Sequence, residues 1–287
     1  MASPSHSNSP RPPQDGPALA MTQPAPAWPP SMQRVYAALN QPSMDVDEVV
    51  TRASGDARLI MRIFALANSP FFDSSGKIVS ELRGAVRRLG VSGLRCALLA
   101  CALSQWRNAP RLFQLRGDMT PLRQSGCNVA ALAWRIARQS GGCGEADALL
   151  AGLTHGVGKL ALLSELSSPR YAGVDKREKL LRIARWHARI GAQLAEKWTW
   201  PPAIVAAIGA QERLALPSDD EPRSPEALAL MSVLAAAVEA VRTAGALEAT
   251  ARHLARHSEL LLNEAQWRAV LTDLPALQGA AQSALGD

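Results

Sequence analysis

The sequence predicts an all-α protein, and three observations lead there. Hydrophobic residues make up 47% of the 287, while Phe, Trp and Tyr together reach only 5%. Ala and Leu dominate and β-branched clusters are rare, a composition that favours helix over strand. Apolar residues also recur at helical spacing, and no stretch reads as a convincing strand, so no significant sheet is expected.

The elements follow in chain order. Residues 1–30 are rich in Pro, Ser and Ala and cannot bury enough apolar surface to offset chain entropy, so a disordered tail is expected. Helical pattern starts near Ser31 with "MQRVYAALN", and "DVDEVVTRAS" follows with acids in its first turn. "DARLIMRIFALAN" sets Leu59, Ile63, Leu66 and Ala67 on one face. "SPFFDSSGK" breaks the pattern. Ser80 is placed to cap "ELRGAVRRL", and Gly90 to close it. The next helix carries Val91, Leu94, Leu98 and Cys101 as its inner stripe and stops at Pro110.

A second block begins near Pro121. "RQSGCNVAALAWRIARQS" ends at Gly141 and Gly142, and "EADALLAGLTHGVGKLALLSEL" reads as one further helix. The long helix "REKLLRIARWHARIGAQLAEKW" aligns Leu181, Ala184, Ala188, Gly191 and Ala195. Pro201 and Pro202 start "PAIVAAIGAQE", and a polar loop, "LPSDDEPRSPE", follows. "EALALMSVLAAAVEAVRTAG", "LEATARHLARHSELL" and a short "NEAQWRAVLTDL" complete the chain. The expected architecture is two packed helical lobes divided near residue 115.

Composition narrows function only coarsely. The net charge of +6 is spread along helices without aromatic-basic interleaving, which argues against a nucleic-acid binder. Cys96, Cys101, Cys127 and Cys143 form no zinc spacing, and the first two sit in an apolar helix as expected for buried thiols. The start of the chain lacks the apolar core of a secretory signal, and no apolar run approaches ~18 residues, so no membrane span is expected and a cytoplasmic location is.

The candidate chemistry centres on "GLTHGVGKLALL", residues 152–163. A phosphate-binding P-loop is excluded, because Leu160 follows Gly158-Lys159 where a hydroxyl is needed, Leu153 holds the first glycine position, and no strand precedes it. His155 and Lys159, four apart, are expected on one helix face. Trp198 and Trp200 flank the Pro201 corner and Trp186 neighbours His187, where packing is the expected role.

Four ordered phrases carry a family resemblance: "FALANSPFF", "KIVSELRGAVRRLGVSGLRCALLACAL", "DALLAGLTHGVGKLALL" and "HARIGAQLAEKWTWPPAIVAAI" with its Trp-x-x-Pro corner. Together they resemble the HDOD domain, a regulatory relative of the HD and HD-GYP phosphohydrolases. The resemblance implies an HDOD domain over 31–243, with a first lobe at about 31–115, an HD-like lobe at about 116–243, and C-terminal helices at 244–287 packing on it. In the hydrolases of that superfamily a His from the preceding helix, the His-Asp pair and a later Asp hold a divalent metal, and HD-GYP members add further His.

Mapped onto this chain, the resemblance places Gln124 at the first His, keeps His155, and puts Gly156 where the paired acid stands. His187 matches a family His, the paired His positions read Gln211 and Glu212, and the helix over 225–243 has only Glu226 and Glu239. Such a set implies no catalytic residue, no metal and no cofactor. It implies a signalling module working through a protein partner in trans, in families linked to cyclic dinucleotide networks and motility. A divergent phosphohydrolase with a rearranged metal site is the alternative. Gln124, His155, Gly156, Lys159, His187, Gln211 and Glu212 then remain as a remnant pocket, open to two readings: a site for a small anion or nucleotide, or a hydrogen-bonded interior. Gly156 and Gly158 are open in the same way, to close helix packing or to room for a ligand.

Overall fold

The computed structural model describes residues 29–41, 43–73, 75–108, 116–213, 223–243, 247–258 and 260–285. Of the tail expected over 1–30, residues 1–28 lie outside the described residues, as do the stop at Pro110 and most of the polar loop at 216–226, and Pro30 already belongs to the first helix. Within them the protein is helical and contains no strand.

Helices α1 (Pro30–Leu39), α2 (Val46–Ala53) and α3 (Ala57–Ala67) form the first layer. Asp45 and Asp56 start α2 and α3 by accepting hydrogen bonds from first-turn amides. The predicted face Leu59, Ile63, Leu66 and Ala67 is fully buried. Helix α4 (Leu82–Arg107) runs on through Gly90, whose φ of 59° and ψ of −169° bend it. Gly90 therefore separates two helical stretches as expected, in a conformation that an L side chain adopts at a cost. The cap differs from expectation: Glu81, not Ser80, occupies the N-cap position, with no side-chain hydrogen bond.

Helix α5 (Arg116–Ser140) begins several residues before Pro121, which lies inside it. It packs against α6 (Glu145–Thr154), α10 (Pro225–Arg242) and α13 (Leu274–Leu285). The stretch read as one helix over "EADALLAGLTHGVGKLALLSEL" is two, because α6 ends at Thr154 and α7 (Val157–Leu166) begins after a turn at His155–Gly156. Both turn residues keep right-handed torsions, so the chain is interrupted without reversing. Taken together, Glu145–Leu166 is long and apolar enough, at a mean hydropathy of 1.2, to pass for a membrane span by length and composition, as the core helices of a folded protein also do. In this fold 72% of that window is buried inside the protein.

A 3-10 turn, Pro169–Tyr171, leads to α8 (Lys176–Lys197), which packs on α7 and on α9 (Pro202–Ala210). The inner face of α8 is His187, Ile190, Gly191, Leu194 and Ala195. The expected stripe is thus rotated in its first half: Leu181 and Ala184 are exposed. Alanines mark no face strongly, and an exposed leucine was read as the anchor. After α10 come α11 (Leu247–His257) and α12 (Glu264–Thr272), the latter started by an Asn263–Gln266 capping box. The sequence reading had no counterpart for α13. It lies along α5 and α3, where the Ala284 carbonyl accepts a hydrogen bond from Arg62 at 2.8 Å.

One aromatic corner holds the α8–α9 turn. Trp198 packs edge-on against Trp106 and tilted against Trp200, with ring centroids 5.9 and 5.2 Å apart. Between the two tryptophans Thr199 sits at a φ of 56°, the left-handed position that closes a helix and usually holds glycine. The Thr199 amide donates to Glu196 and the Trp200 amide to Ala195, and the Thr199 carbonyl accepts from Tyr36 of α1. A β-branched residue in this region carries roughly 1–2 kcal/mol of strain. Replacing Thr199 with Gly relieves it against a larger unfolded-state entropy, so a net gain of roughly 0.5–1 kcal/mol is expected in urea denaturation, and a loss would mean that the corner is unstrained.

Candidate functional site

The turn at His155–Gly156 is where the predicted residues meet. His155 is buried, and its Nδ1 lies 2.7 Å from the Gly152 carbonyl, to which the Nδ1–H donates. Burial pushes its pKa down to about 4, helped by the nearby Lys159 and His187 charges, so the ring is neutral. The His155 carbonyl, at the break between α6 and α7, accepts from Gln211 Nε2 at 3.1 Å. Gln211 is buried beside it, and its Oε1 has no hydrogen-bond partner among the described residues.

A second cluster adjoins the first. His187, also buried, sets Nδ1 against the Ile183 and Ala184 carbonyls at 3.0 and 3.1 Å and Nε2 against Glu212 Oε1 at 2.9 Å. The hydrogen bond from His187 holds the half-exposed Glu212 carboxyl below its ordinary value. Lys159, partly enclosed, is lowered by desolvation and steadied by Glu212. His155 and Lys159 do not share one helix, as the four-residue spacing implied: His155 caps α6 and Lys159 belongs to α7.

The two glycines of the motif have different surroundings. A Cβ on Gly158 would lie 1.9 Å from the His187 carbonyl oxygen, so α7 and α8 meet backbone to backbone there. A Cβ on Gly156 would meet nothing within 4 Å. Gly156 instead lines a crevice of about 30 Å³, with Arg107, Arg123, Cys127 and Leu285 around it. That is about the space of one water.

Gln124 is not in this group. Its side chain is exposed, and Arg123 and Cys127 line the crevice from α5. A one-residue error in helical register turns a side chain by about 100°, which is the distance between these assignments. Arg107, Arg123 and Leu285 escaped the sequence reading because no motif marks them; the only signal was a basic residue beside the assigned Gln124. The four cysteines are free, and burial raises the thiols of Cys96, Cys101 and Cys143, that of Cys101 to about 11 and that of Cys143 to about 12.

The residues present do not fit a divalent metal. Among the described residues no three His, Cys, Asp or Glu side chains converge. Gly156 offers no donor, two guanidinium side chains line its crevice, and Nε2 of His187 is taken by Glu212. No step is therefore derived through a metal. The group can hold a neutral imidazole, a His–carboxylate pair and an ammonium in fixed relation.

Comparison with known proteins agrees with the fold. The family model of the HDOD domain matches residues 25–214. An uncharacterized protein of Treponema pallidum is 24% identical over 195 residues, covering 64% of this chain and 36% of its own length, so the chain spans about a third of that relative. Among solved structures, a candidate metal-dependent phosphohydrolase of Shewanella amazonensis superposes with a TM-score of 0.69 at 18% identity, covering 90% of this chain and 92% of the other. An HDOD domain protein of unknown function from Geobacter sulfurreducens gives 0.62 at 22%, covering 92% and 94%. At these identities the structural likenesses establish the fold alone. With the family model matched over about two thirds of its length, the four ordered motifs and the two-helix motif turn in place, the chain belongs to the HDOD domain family.

Proposed function

We propose that the protein is a non-catalytic regulatory module of bacterial signal transduction, working in the cytoplasm through contact with a protein partner. The observation that carries this reading is the state of the motif turn. At Gly156, where the resembling hydrolases place an acid, there is a water-sized crevice lined by Arg107 and Arg123, and the Nε2 of the nearby His187 is bonded to Glu212. A hydrolytic centre needs ligands that converge on a metal and an open position for water. This arrangement instead fixes a turn between two core helices, a suitable element for transmitting a contact made elsewhere. Cyclic dinucleotide and motility networks are the setting the family suggests, and a small anion near Lys159 is the ligand class the charge favours.

A rearranged phosphohydrolase is the rival, favoured by the His187–Glu212 pair and by the description of the Shewanella neighbour. Metal analysis of the purified full chain after Mn²⁺ loading, with turnover assays on cyclic dinucleotides, separates the two. The regulatory reading expects substoichiometric metal and no turnover above background. Stoichiometric metal with hydrolysis abolished by His155→Ala would overturn it.

A further inference from the structure

The first half of α8 stands away from the core and leaves a groove against α7. Leu163 and Leu166 of α7 and Leu180 and Ile183 of α8 give it an apolar lining, and Leu122 of α5 adds to it. Its volume is about 460 Å³, within the range of roughly 300–1,000 Å³ of small-molecule sites. Leu180 is 56% exposed there, although it is one of the largest apolar side chains of the helix.

The polar lining of this groove has one sign. Lys159, Lys176 and Lys179 line it, and no carboxylate does. The acids nearest in sequence are engaged elsewhere: Asp175 accepts from the Arg177 amide and Glu178 pairs with Arg182 at 2.8 Å. Lys176 is exposed and Lys179 half-buried, and the charge of Lys159 is partly offset by Glu212. Lys159 is the innermost of them, an ammonium partly withdrawn from water beside apolar walls. An apolar pocket lined by three ammonium groups and no carboxylate complements a ligand with an apolar body and one anionic head.

We propose that this groove binds a small anionic amphiphile, a single alkyl or acyl chain with a carboxylate or phosphate head seated among Lys159, Lys176 and Lys179. The size decides against a peptide helix. A docked helix needs anchors over several turns, and the part of α8 that lines this groove spans only Lys176 to Ile183. The site does not rest on the regulatory reading and would stand without it. Lys159 nevertheless belongs to both places, since its charge acts on Glu212 and His155, so an anion bound at Lys159 is felt at the motif turn.

Isothermal titration calorimetry of the full chain tests this with laurate and with dodecyl phosphate, each below its micelle-forming concentration. One saturable site per chain is expected for at least one of them, and the tighter of the two identifies the head group. Lys179→Glu and Leu180→Asp, both at the groove surface, are each expected to weaken binding by about tenfold or more while the circular dichroism melt is unchanged. Equal binding of dodecyl glucoside or dodecyltrimethylammonium, indifference to Lys179→Glu, or no saturable binding of either anion would overturn the proposal. Lysine-dependent binding of an acidic amphipathic peptide, with neither anion bound, would overturn it in favour of a protein partner.

Discussion

Replacing Gly158 with alanine is expected to destabilise the protein by ~3 kcal/mol, whereas the same change at Gly156 is expected to be neutral or stabilising by up to about 1 kcal/mol. The two glycines are separated by one residue and share the motif, but a methyl group finds different surroundings at each. At Gly158 it would lie 1.9 Å from the His187 carbonyl oxygen and 2.7 Å from the Gly191 amide nitrogen. Both are backbone atoms of α8, so no side chain can swing aside and the helices must part. At Gly156 nothing lies within 4 Å, and its φ of −84° and ψ of 0° suit alanine without strain. Thermal unfolding separates the outcomes: at ~2–4 °C per kcal/mol for a chain of this size, Gly158→Ala lowers Tm by about 6–12 °C. Equal effects at the two positions would refute the assignment of Gly158 to packing and Gly156 to free space.

Acid is expected to weaken the fold through His155 by about 3 kcal/mol between pH 6.5 and pH 4. The sign follows from burial. In the unfolded chain this ring takes a proton near 6.5, while in the folded protein desolvation pushes it down to about 4. Between those values the unfolded state holds the extra proton, so stability is complete above pH 6.5 and is lost as pH falls towards 4. Lys159 and His187 act in the same direction and Glu212 opposes them. The lowered carboxyls of Glu212 and Asp73 add their own loss on the acid side. A non-titrating His155→Gln variant isolates the term. Urea denaturation at pH 7 and pH 4.5 should show a smaller loss in the variant than in the native protein, and an equal loss would mean that the ring is not held neutral.

Much of this was legible in the sequence, and the failures have physical causes. Leu59, Ile63, Leu66 and Ala67 marked their buried face because large aliphatic residues at helical spacing have few other uses. His155, Gln211 and Glu212 were brought near one another as the motifs implied, since they lie at the ends of α6 and α9, which pack together. The break at His155–Gly156 was hidden because both residues keep helical torsions and the apolar pattern continues across it. Gln124 was misplaced because a motif aligns residues and not rotation about a helix axis. The groove beside α8 could not be read at all: its parts come from separate helices, and its exposed leucine resembles any core leucine in the sequence.

Helix α13 joins parts of the chain that are far apart in sequence. Its Ala284 carbonyl is held by Arg62, 222 residues earlier, it lies along α5, and Leu285 closes the crevice beside Gly156. Contacts of such long sequence separation raise contact order and slow folding. Loosening α13 is therefore expected to expose parts of α3, α5 and the crevice beside Gly156 together, which hydrogen exchange would read as joint loss of protection.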